Sequence, residues 1–139
     1  MSAFFSTIIA IFMSILSVIL PAKPDNVKVT VRPVTTETAI ITFECENNTR
    51  RTISRPYVTS IEKKDNNGNW QNTNVAYGYT EEAYSIRHGG KAVDSIELGD
   101  IFETFEGLEK GEYRINVKYI LNGDGNWGYA SGEFTVAEQ

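Results

Sequence analysis

Cysteine and histidine are almost missing from this chain of 139 residues, which has one of each, Cys45 and His88. A single cysteine excludes an intrachain disulfide and any multi-cysteine zinc site, and a single histidine removes most other metal constellations. No metal and no cofactor is therefore expected. Basic residues are also scarce: 13 Lys and Arg stand against 18 Asp and Glu, a formal charge of −5. Arg50-Arg51 and Lys63-Lys64 are the only basic clusters, and neither makes the concentrated patch that nucleic acid requires. Nucleic acid is not an expected partner.

One stretch lacks charge altogether. Ser2 to Leu20 reads SAFFSTIIAIFMSILSVIL, barely the roughly 20 apolar residues that span a bilayer as a helix. Secretory h-regions are usually shorter and follow a basic n-region, and here no Lys or Arg precedes the run. Ala22 offers a small-residue exit, but Leu20 at the −3 position suits cleavage poorly. Lys23, Lys28 and Arg32 follow the run, and basic flanks favour the cytoplasmic side. Residues 1–22 are read as a signal peptide or an uncleaved N-terminal hydrophobic helix that anchors the chain in a membrane. An inward-facing tether is the minority reading.

Residues 23–139 form one domain-sized unit, long enough to fold on packing alone. Their pattern is short alternating runs separated by turn residues, an all-β signature. Val27, Val29 and Val31 alternate with polar residues, and Pro33 suits a strand end. Ala39, Ile41, Phe43 and Cys45 are expected to share one face opposite Thr42, Glu44 and Glu46, which puts Cys45 in the core. Further strands are expected over Tyr57 to Lys63, from Trp70, over Val93 to Leu98, over Tyr113 to Tyr119 and over Tyr129 to Val136. Asp65 to Asn69 reads as a turn, and Thr73 to Gly90 resists assignment. About seven strands result, at sandwich spacing.

The hexapeptide Leu108-Glu109-Lys110-Gly111-Glu112-Tyr113 carries most information about the fold. Gly111 followed by Tyr113 at the start of the penultimate strand has the form of a tyrosine corner, in which the phenol bonds back to upstream backbone. Tyr57 to Lys64 with Gly68-Asn69-Trp70 resembles the core of a family of bacterial immunoglobulin-like domains, and Gly111 to Ile115 and Gly132 to Val136 resemble its last two strands. The resemblance implies an immunoglobulin-like β-sandwich outside the cytoplasm, often borne on membrane-anchored or lipoprotein chains, with no assigned enzymatic activity. It carries over no binding residues. Two departures stand out: no lipobox cysteine follows the apolar run, and no second cysteine faces Cys45, so Ile115 or Val117 is expected to fill that space.

Candidate chemistry is sparse. A Cys45/His88 dyad is outweighed by an inert core thiol. Glu44, Glu46, Glu62 and Glu97 sit where alternation predicts a solvated face. Asn122 to Asn126, with Asp124 at its centre, spaces oxygens like a calcium loop, yet Trp127 stands where such a loop needs glycine, and a hairpin explains the residues. Asn47-Asn48-Thr49 is a glycosylation sequon, relevant only in a eukaryotic secretory route. The better hint is aromatic. Trp70, Tyr77, Tyr79 and Trp127 lie in or beside turns, and exposed aromatics stack on sugars or anchor protein contacts. The expectation is a non-catalytic binding or adhesion module with a protein or glycan ligand at a bacterial cell surface. The alternative is a carbohydrate-binding accessory module or proteinase-inhibitor-like domain using the same aromatics.

Overall fold

The structure, a computed structural model, describes residues 26–80, 83–99, 105–123 and 125–138. The apolar segment 1–22 and the candidate calcium residue Asp124 lie outside the described residues. Ten strands run in chain order: β1 Val27–Val31, β2 Val34–Thr35, β3 Ile40–Asn47, β4 Ile53–Lys64, β5 Trp70–Asn72, β6 Tyr77–Tyr79, β7 Ser85–Ile86, β8 Lys91–Leu98, β9 Gly111–Leu121 and β10 Trp127–Ala137. Ten replaces the expected seven or so because β2, β6 and β7 hold only two or three residues each, too few to display alternation.

The strands form two sheets. One has the order β1-β3-β8-β6, and the other the order β2-β10-β9-β4-β5, with β7 also paired to β4. Pro33 stands between β1 and β2, where the chain leaves the first sheet to run parallel to β10 at the edge of the second. Proline has no N–H to give a ladder, so it suits that break. The inward residues of both sheets make one core, including Ile41, Phe43, Cys45, Ile61, Ile96, Ile115 and Val117. Each buried Val, Ile and Phe among them contributes roughly 1.5–3 kcal/mol by leaving water.

Three polar devices tie the ends. Tyr113 is buried at the start of β9, and its phenol donates to the carbonyl of Glu109 at 2.7 Å, the geometry of a tyrosine corner. Two residues earlier, Gly111 takes φ 153°, in a region that L side chains rarely enter. At the other end, the fully buried Asn47 uses its whole side-chain amide. Nδ2 donates to the carbonyls of Arg51 and Ile86, both at 2.8 Å, and Oδ1 accepts from Thr49 N at 3.0 Å and Thr49 Oγ1 at 2.7 Å. The sequon nitrogen is thus a core staple with no donor left to modify. Third, Asp65 accepts from the N–H groups of Asn67 and Asn69, both at 2.9 Å, which closes the β4–β5 turn.

β4 positions the candidate site. It slips register against β9 twice, between Ser54 and Tyr57 and between Val58 and Ser60. Pro56 lies in the first slip, preceded by Arg55 in the left-handed region at φ 52°. The slips leave the middle of β4 without a strand on its outer side, because β7 pairs only Ile53 and Ser54 and β5 only Glu62 to Lys64.

Candidate binding site

Across the uncovered stretch of β4 the two sheets are joined by phenols. Tyr77 and Tyr79, two residues apart on β6, both donate to the carbonyl of Val58, Tyr77 at 2.9 Å. A carbonyl oxygen has two lone pairs, so both bonds can be made at once. Burial is the first cause that pushes the Tyr79 phenol up to about 12, with help from Tyr77, Tyr57 and Asp94, so Tyr79 stays a neutral donor.

The rings behind these hydroxyls form a continuous aromatic group. Tyr57 meets Tyr79 edge to face at 6.5 Å and 79°, and meets Trp127 at 6.5 Å and 87°. Tyr77 meets Tyr79 at 6.1 Å and 88°. Edge-to-face pairing matches the positive ring rim to the negative face, which holds each ring in place. On the outward face of β9, Lys118 puts Nζ 4.1 Å from the Trp127 ring and 5.7 Å from that of Tyr129, its cross-strand partner. Despite these contacts Tyr79 is 50% exposed, Trp127 46% and Tyr129 71%. Such rings are fixed without being covered.

Beside them lies a cleft of about 380 Å³, lined by Arg55, Pro56, Tyr57, Tyr79, Asp94 and Trp127 among others. Small-ligand sites begin at about 300 Å³ and pair an apolar lining with a few polar groups. Here those groups are Arg55 and Asp94.

Of the four aromatics singled out from the sequence, the structure brings Tyr77, Tyr79 and Trp127 together and leaves Trp70 apart. Trp70 lies on β5 beneath two cations, Arg114 Cζ at 4.6 Å and Lys64 Nζ at 5.6 Å. Arg114 and Lys118 are four residues apart on β9, so the two tryptophan sites stand roughly 13 Å apart. Arg114 also bonds Glu62 at 2.8 Å, and this bond, followed by one from Asn116, holds the Glu62 carboxyl below its ordinary range. Glu62 is consequently half-buried in a polar network and not simply solvated. Sequence reading missed Tyr57, Tyr129 and Asp94. The available signal for Asp94 was its parity with Ile96 and Leu98, a charge on the core-facing side of β8.

The two nucleophile candidates occupy structural positions. Cys45 is fully buried, and burial, then Asp94 and Glu44, push its thiol up to about 12, where no thiolate forms at neutral pH. His88 binds the carbonyl of Thr49 through Nδ1. Among the described residues, no group of three His, Cys, Asp or Glu could hold a metal ion, and no helix is long and apolar enough to cross a membrane.

Residues 23–137 match the model of a family described as "Bacterial Ig-like domain". Among solved structures, the chain is similar to the YadV chaperone, with 7% identity, a TM-score of 0.52 and coverage of 82% of this chain and 52% of that one. It is also similar to the E. coli chaperone DraB, with 11% identity, a TM-score of 0.50 and coverage of 81% and 55%. The chain spans about half the length of either chaperone, and at these identities the likeness is one of fold. The human PapD-like domain 7 of CEP192 matches at 16% identity and a TM-score of 0.40, with coverage of 86% and 92%. No curated protein matches.

Proposed function

Because the chain belongs to the bacterial Ig-like domain family, we infer that it is a non-catalytic binding module working outside the cytoplasm, with the aromatic cleft beside β4 as its contact surface. The observation that carries this reading is the fixed ring group of half-buried Tyr57 with the exposed Tyr79 and Trp127, which Tyr129 and Lys118 continue over β9 and β10. Rigid aromatics lose little entropy on contact and so make effective anchors. The uncharged segment Ser2 to Leu20 supports placement at or beyond a membrane, either as a cleaved signal or as a retained tether.

The test is binding of labelled full-length protein to bacterial and host cell surfaces. A Trp127→Ala/Tyr129→Ala variant should lose most of the signal, and Trp70→Ala should keep it. Equal signals from all three proteins would remove the cleft from the account. A hydrolytic activity that persists through purification would remove the non-catalytic reading.

A further inference from the structure

A carboxylate on the core-facing side of a strand needs a reason. Asp94 is 5% exposed, yet it forms no ion pair among the described residues, and its one hydrogen bond there is from the N–H of Ser95 at 2.7 Å. An ionised carboxylate accepts about four hydrogen bonds, so Asp94 keeps acceptor capacity to offer a ligand. Asp94 lines the aromatic cleft together with Arg55. Arg55 is exposed, sits in the left-handed region and lines the same cleft, and its side chain carries five N–H donors.

The cleft thus presents aromatic faces, one strong buried acceptor and one strong donor. We propose that it is a saccharide site: the apolar face of a pyranose ring stacks on the Trp127/Tyr57 group, vicinal hydroxyls donate to Asp94, and Arg55 donates to a ring or hydroxyl oxygen. This proposal rests on the reading of the cleft as the contact surface and names the ligand class for it. A sugar hydroxyl both donates and accepts, so it satisfies Asp94 and Arg55 together, which an apolar ligand cannot do. A cationic ligand would meet Asp94 favourably but would also meet Arg55 and Lys118, two like charges on the same group of rings.

The test uses the full chain carrying Trp70→Phe, so that Trp127 is the sole tryptophan reporter. Methyl hexopyranosides and β-linked disaccharides are titrated against its fluorescence, with a glycan-free extended peptide set as the second arm. Saturable quenching by one or more sugars is expected, weakened roughly tenfold to a hundredfold by Asp94→Asn, the loss of a hydrogen bond to a charged group. Should Asp94→Asn fail to fold, Arg55→Gly, which suits the φ of that position, provides the same readout. Sugar binding unaffected by either change overturns the assignment of the site. Saturable binding by a peptide and by no sugar overturns the saccharide class and leaves the contact surface standing. No response to either arm, with cell-surface binding indifferent to Trp127→Ala/Tyr129→Ala, overturns both.

Discussion

Tyr77 of the four-stranded sheet donates its phenolic hydrogen to the carbonyl of Val58 in the other sheet, 2.9 Å away. The bond crosses the sandwich at the stretch where β4 has slipped register. It secures the strand that carries Tyr79, and hence one wall of the cleft. Tyr77→Phe should cost about 1 kcal/mol, the net worth of one hydrogen bond, read by urea unfolding. Because Tyr79 still holds Val58, the fold should survive the change. A loss above about 3 kcal/mol would mean that the two phenols act as one unit.

Asn47 predicts a larger loss. Asn47→Ala removes four hydrogen bonds from a fully buried position and leaves the carbonyls of Arg51 and Ile86 without those donors. At roughly 1–3 kcal/mol for each stranded group, the cost should be about 3 kcal/mol or more. Expression in a host that glycosylates sequons should leave Asn47 of the folded protein unmodified, as seen by intact mass.

Glycines separate steric from conformational cost. A Cβ at Gly107, where φ is 103°, would stand 1.9 Å from the carbonyl oxygen of Thr36. Backbone must move to admit it, so Gly107→Ala should be severely destabilising, above about 3 kcal/mol. Gly68, at φ 81°, has nothing within 4 Å of such a Cβ. Gly68→Ala should cost only the left-handed penalty of roughly 1–2 kcal/mol, with thermal melts ranking the pair.

Alkali should weaken the fold. The Cys45 thiol rises from 9.0 to about 12 and the Tyr79 phenol from 10.0 to about 12. With folded values raised, the unfolded chain binds fewer protons between the two limits, so the stability these groups contribute is complete below pH 9 and lost as pH climbs toward 12. Cys45→Ala should flatten the decline that begins near pH 9. Glu62 acts in the opposite direction: its folded value is lowered by Arg114 and Asn116, so its contribution is present above the ordinary carboxylate value of about 4.3 and lost as pH falls below it. Chemical denaturation from pH 3 to 11 reads both limbs, and Glu62→Gln should remove part of the acid one.

Much of this molecule was legible where local patterning and tertiary packing agree. The alternation of Ile41, Phe43 and Cys45 against Thr42 and Glu44 gives β3 directly, since a strand buried on one face must alternate. The short strands β2, β6 and β7 were not legible, because a two- or three-residue pairing is set by the neighbour it reaches and not by its own sequence. The site divided in the same way. Tyr77, Tyr79 and Trp127 could be singled out as aromatics beside turns, but their meeting depends on the slips in β4, which also turn Tyr57 toward Trp127. Trp70 carries the same local signal and goes elsewhere, drawn under Arg114 and Lys64.

That contrast supplies the most direct test. In the full-length protein, the indole N–H resonances of Trp127 and Trp70 can be followed together as sugars and peptides are added. A ligand is expected to shift Trp127 and to leave Trp70, roughly 13 Å away along β9, in place. A ligand that shifts Trp70 alone, or that binds without moving Trp127, would contradict the reading of the cleft as the contact surface.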